Sequence, residues 1–195
     1  MKKIMFIAAV VAAGLAQAAS VDWEIAKKSF TMSDGSKPNG ATVYLFDTAA
    51  EGYSTFIAAL TGGTLGDSIK AETFTGAKGY LGQGTTYSSS NTTLLNNNYG
   101  KASGTVTVSK VQDYDLAMIV VDGNNFLVSG TASSRSYTDS PDDGSPAQFA
   151  SANLPSSSWA TYTPSSTDPS GVPEPTSGLL LLVGAGMLAL RRKQK

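Results

Sequence analysis

The 195-residue sequence contains no cysteine and no histidine. Without cysteine, no disulfide can staple the chain and no thiolate can act as a nucleophile or soft metal ligand. Without histidine, the Ser-His and Cys-His base arrangements, the usual zinc sites and the commonest proton shuttle near neutral pH are excluded. Charge is also sparse, at 15% of residues, and sums to −1. That total conceals an asymmetry. Six of the 14 basic residues (Lys2, Lys3, Arg191, Arg192, Lys193, Lys195) lie at the two ends with one of the 15 acidic residues, Glu174, so residues 19–171 keep 8 basic against 14 acidic side chains. An acidic body with no run of Lys and Arg does not suit a phosphate backbone, and no nucleic-acid partner is expected.

Carboxylates are the remaining source of acid-base chemistry. Asp113 with Asp115, Asp139 with Asp142 and Asp143, and Glu72 are the pairs from which a glycosidase would draw its acid and base. Their short spacing in Gly/Ser-rich surroundings reads instead as solvated loops, so neither catalysis by this chain nor a cofactor is expected. The run Thr138-Asp139-Ser140-Pro141-Asp142-Asp143-Gly144 offers clustered oxygen atoms but lacks the ligand spacing and distal Glu of an EF-hand loop, and it reads as a polar turn without a metal. Gly62-Gly63 and the glycines of 79–84 have no Gly-Lys-Ser/Thr after them and read as turns, not phosphate loops. Asn91-Thr92-Thr93 is a formal N-glycosylation triplet.

Both ends carry targeting patterns. Lys2 and Lys3 precede an apolar stretch at 4–15, and Ala16-Gln17-Ala18 supplies an Ala-x-Ala signal, which together describe a secretory signal peptide cut between Ala18 and Ala19. At the other end Val172-Pro173-Glu174-Pro175 is followed by an apolar run at 178–190 and then Arg191-Arg192-Lys193. Proline punctuation cannot continue a helix, and a basic cluster resists crossing a bilayer, so this order fixes an orientation with the last residues on the cytoplasmic side. The apolar run is short. About 13 residues make a helix of about 20 Å, against the ~30 Å hydrocarbon core that ~20 residues span.

In this order the three parts resemble the PEP-CTERM sorting signal of Gram-negative bacteria. The resemblance covers 172–194, with Val172, Pro173, Glu174 and Pro175 on the motif, 178–190 on the membrane segment, and Arg191 with Arg192 on the basic end. It implies handling by an exosortase, a membrane-embedded cysteine transpeptidase that cuts near the Pro-Glu-Pro and passes the exported part to the cell surface. Proteins with this tail accompany extracellular polysaccharide and biofilm matrices.

Between the signals, alternation places Val21, Trp23 and Ile25 on one face of a strand, and Val106 with Val108 on one face of another. Thr42–Asp47 and 116–121 are continuous apolar runs rich in β-branched and aromatic residues, as expected of more deeply buried strands. Asp122-Gly123-Asn124-Asn125 before Phe126-Leu127-Val128 reads as a hairpin. Residues 52–60 predict a helix with Tyr53, Phe56, Ile57 and Leu60 on one face and Gly62-Gly63 at its end; 145–152 gives a weaker helical signal. The fold expected is mainly β, a single small sandwich or curled sheet with one or two short helices and a hydrophobic C-terminal helix.

The divisions expected are a signal peptide at 1–18, a β-rich exported domain at 19–154, a Ser/Thr/Pro-rich linker at 155–171 on which Trp159 and Tyr162 cap the domain, and the sorting signal at 172–195. The expected role is an exported surface or matrix protein, with an exosortase, the inner membrane in transit and extracellular polysaccharide as partners. An alternative is a carbohydrate-binding module in which Tyr80, Tyr87, Tyr99 or Tyr137 stacks on sugar rings. A secreted carboxylate-dependent hydrolase is a third reading.

Overall fold

In the computed structural model the described residues are 18–138 and 146–165. The expected signal peptide before Ala18, the acidic run at 139–145 and the tail with its hydrophobic segment lie outside them.

The body is mainly β, in two sheets with short helices. Strand β1 (Ala19–Ile25) lies between β4 (Ala102–Val108), antiparallel, and β8 (Ala147–Phe149), parallel. The larger sheet runs β3 (Tyr80–Thr85), β2 (Thr42–Asp47), β5 (Asp113–Asp122), β6 (Asn125–Val128) and β9 (Trp159–Thr161), with β7 (Ala132–Arg135) paired to the first half of β5. The period-2 pattern of β1 explains the sandwich: Ala19, Val21, Trp23 and Ile25 are buried while Ser20, Asp22 and Glu24 are only partly covered. The inward residues meet Val43 and Leu45 of β2 and Leu116, Met118 and Val120 of β5 in one core.

The continuous apolar runs of β2 and β5 follow from burial on both faces. Tyr44 and Phe46 of β2, Ile119 of β5 and Phe126 of β6 point away from the small sheet into a second core. Helices α1 (Tyr53–Thr61) and α2 (Ala71–Thr75) cover it through Phe56, Leu60 and Phe74. Its rings interlock, with Tyr44 stacked on Phe74 at 4.7 Å and Phe46 on Phe56 at 5.5 Å. A third helix, α3 (Thr92–Asn98), is capped by the Asn91 side chain, which accepts from the Thr93 and Leu94 N–H groups. The glycosylation-like triplet is therefore a helix start. The hairpin forms as expected: Asp122 pairs with Asn125, and Gly123 takes the positive φ (+59°) at the first central position.

Three expectations are corrected. The weak helical signal at 145–152 is strand β8, whose three residues give Ala147 and Phe149 to the core; so short a segment cannot display a period. The glycines at 82 and 84 are not in a turn but within β3, where a Cβ at Gly82 would sit 2.6 Å from Val106 and one at Gly84 would sit 2.4 Å from the Trp23 ring. Residues 155–162 are not free linker. They form a 3-10 turn (Ser156–Ser158) and β9, which extends the large sheet.

Candidate functional site

The C-terminal end of the body is pinned by its two aromatics. The Trp159 indole Nε1 donates to the Thr31 carbonyl at 2.8 Å. Tyr162 is buried in the second core, donates from its hydroxyl to the Gly66 carbonyl at 2.6 Å and accepts from the Leu65 N–H at 2.9 Å, while its own N–H donates to the Asn124 carbonyl. Both residues lie against the domain, as expected of them. Beyond Tyr162, residues 163–165 are exposed. Val172, Pro173, Glu174 and Pro175, the apolar run and Arg191, Arg192 and Lys193 all lie outside the described residues.

At the other end Ala18 is exposed and Ala19 is buried, the first residue of a strand that passes through the middle of the small sheet. The Ser20 N–H donates to the Tyr137 carbonyl at 2.7 Å and the Tyr137 N–H returns to the Ser20 carbonyl at 2.9 Å. Ala16 lies before the described residues.

On the outer face of the small sheet, strand alternation and register gather polar groups that sequence reading had left unconnected. Asp22 stands opposite Thr105, Glu24 opposite Ser103 on one side and Gln148 on the other. A recess of about 280 Å³ over this face is lined by Asp22, Glu24, Ser103, Thr105 and Pro146. The Thr105 hydroxyl donates to Asp22, and the Tyr137 hydroxyl lies 3.0 and 3.1 Å from the two carboxylate oxygens of Asp22. Desolvation, reinforced by the Asp22 carboxylate, holds the Tyr137 phenol above its ordinary pKa, so near neutral pH it is a hydrogen-bond donor. The alternation of Asp22 and Glu24 around Trp23 marks an outward carboxylate row in the sequence. Only the register shows what they face.

The other sugar-stacking candidates are half-buried. Tyr80 packs edge-on against Phe46, and Lys37 lies over the Tyr99 ring at 5.6 Å; Tyr87 is tied through its N–H to the Lys101 carbonyl. The acidic pairs are placed as solvated groups. Asp113 meets Arg135 at 3.4 Å with both side chains largely exposed, Asp115 accepts from the Ser133 hydroxyl, and Glu72 is exposed on α2. Among the described residues no three acidic side chains gather as a metal would require, and no helix is long and apolar enough to cross a membrane; the Asp139, Asp142 and Asp143 run is outside those residues.

The strongest sequence signal thus lies outside the described residues. A family model for the PEP-CTERM protein-sorting motif matches residues 171–194. No curated protein and no solved structure gives a significant match to the chain. The C-terminal segment is a PEP-CTERM protein-sorting motif, and the chain that carries it is an exported protein sorted through a membrane exosortase.

Proposed function

We propose that the chain delivers its β-rich body to the cell surface as a structural component of an extracellular, polysaccharide-containing matrix. The sorting match at 171–194, falling after Tyr162, the last buried side chain among the described residues, carries this reading. In it, residues 1–18 direct export and are removed between Ala18 and Ala19. The run at 178–190 then halts in the inner membrane while Arg191, Arg192 and Lys193 hold its end in the cytoplasm. The halt is transient: the run is short, and Gly184 and Gly186 weaken it as a helix. Nine residues separate Tyr162 from Val172, a reach of about 30 Å when extended. That reach gives the exosortase access to Pro173, Glu174 and Pro175 without unfolding the body.

Mass spectrometry of surface protein from the native host tests this. The expected species begins at Ala19 and ends near Pro175, and replacing Pro173, Glu174 and Pro175 together by Ala leaves a full-length form in the membrane. Wild-type surface protein that retains peptides from 188–191 would overturn the processing step.

A second reading, binding of an oligosaccharide, is favoured by the recess beside Asp22 and Tyr137. Carboxylate acceptors, hydroxyl groups of Ser103 and Thr105 and one phenol on an open sheet face match the hydroxyl-rich edge of a sugar chain. Retention of the body on matrix polysaccharide, lost in Asp22→Ala and Glu24→Ala, distinguishes this from a purely structural role.

A further inference from the structure

The N-terminal processing bond and the fold compete for the same residues. A signal peptidase takes the chain as an extended segment through the scissile bond, so it needs the backbone on both sides of Ala18–Ala19. In the folded body that backbone is already engaged. Ala19 is 1% exposed and stands opposite Val108; Ser20 has both backbone groups bonded to Tyr137; Val21, two residues on, is fully buried. No spacer separates the bond from β1, which begins at Ala19 itself.

Nor is β1 an edge strand that frays easily. It is paired along its whole length with β4 and at its C-terminal half with β8. Freeing Ala19 and Ser20 for a protease means breaking the Tyr137 pair and lifting Ala19 and Val21 from the core, and such central strands open only at a large fraction of the global unfolding free energy.

From this we infer that the structure imposes an order on maturation: the Ala18–Ala19 bond is cleavable only before β1 docks between β4 and β8, and a chain that folds first is no longer a substrate. The inference rests on residues 1–18 being a signal peptide. The topology supplies the time needed for the correct order. The partners of β1, at 102–108, Tyr137 and 147–149, are all far downstream, so a chain crossing the membrane from its N-terminus presents the processing bond well before any of them can cover it. The small sheet consequently cannot close until residues 147–149 have crossed, and its closure protects the new N-terminus at Ala19.

The test uses the full-length precursor, synthesised in a cell-free system and folded in detergent micelles, with purified bacterial signal peptidase added in the same detergent. It is compared with a precursor carrying eight Gly/Ser residues inserted between Ala18 and Ala19, which moves the cleavage bond out of the sheet and leaves every β1 contact in place. Folded wild-type precursor is expected to be cut at least about tenfold more slowly than the folded spacer precursor, because cleavage must wait for strand opening. A Gly104→Val precursor, in which a side chain is forced against Trp23, is expected to be cut faster than folded wild-type precursor to the extent that the clash displaces β1, and as fast as the spacer form if it does not fold. Equal rates for the folded wild-type and spacer precursors would overturn the ordering while leaving the signal peptide intact. Failure of the spacer and Gly104→Val precursors to be cut at all would overturn the signal-peptide reading, and the ordering with it.

Discussion

Replacing Gly84 by Ala tests the tightest contact between the two sheets. The added Cβ would stand 2.4 Å from Cη2 and 2.5 Å from Cζ2 of Trp23, where carbon atoms at rest keep about 3.5–4.0 Å. The indole cannot swing away, because Trp23 is 3% exposed and its other neighbour, Gly104, already lies close enough that a Cβ there would be 2.8 Å from the ring. Overpacking of a filled core costs about 1–3 kcal/mol, and an overlap of more than an ångström belongs at the upper end. A Gly→Ala change also narrows the unfolded ensemble, which returns about 0.4–1 kcal/mol. The net loss expected is about 2 kcal/mol, read as a lower urea midpoint or a Tm lowered by roughly 4–8 °C. Gly130→Ala is the control: its nearest neighbours are 3.7 Å away and its φ is not positive, so it should move stability by less than about 0.5 kcal/mol. Trp23→Phe removes the ring edge that meets the new methyl, so in the Gly84→Ala background it should relieve the clash. The two changes should therefore combine to much less than the sum of their separate costs, a coupling of about 1 kcal/mol or more. Additive costs, or a Gly84→Ala protein as stable as the Gly130→Ala control, would refute the view that glycine sits in β3 to admit Trp23.

Tyr162→Phe should cost about 1–3 kcal/mol, because it leaves the Leu65 N–H and the Gly66 carbonyl without their partner; urea unfolding measures the loss, and limited proteolysis should show β9 released first. Alkaline pH should destabilise the body. Burial raises the phenols of Tyr44, Tyr53 and Tyr114 above their ordinary 10.0, with a nearby carboxylate contributing at Tyr44 and Tyr114. The folded state thus holds these protons more tightly than the unfolded chain, so the stabilisation is complete below about pH 10 and is lost as pH rises through the folded-state values. A urea midpoint that stays flat from pH 9 to 11.5 would contradict this.

The chain's linear signals are legible without a structure because what reads them is not the fold. In the proposed reading a peptidase recognises Ala16 and Ala18 as small residues, a membrane selects 178–190 by hydropathy, and Arg191, Arg192 and Lys193 act through charge; none of these needs a tertiary neighbour to have meaning. The same locality made β1, β2, β5, the Gly123 hairpin and α1 readable, since each is long enough to show its period or carries its own turn residue. Asn91 was a legible cap for α3, hidden by its resemblance to a glycosylation triplet. What only the tertiary structure decided are features whose cause lies elsewhere in the chain. Gly82 and Gly84 look like a continuation of the turn at Gly79 until Trp23 and Val106 are seen to need the space. Residues 155–162 look like linker until β6 offers an edge and the loop at Leu65–Gly66 receives the Tyr162 hydroxyl. Asp22, Thr105 and Tyr137 become one cluster only through the β1–β4 register and the Ser20–Tyr137 bridge. Sequence encodes these contacts as pairs separated by tens of residues, and a single chain read in order has no local term that reports them.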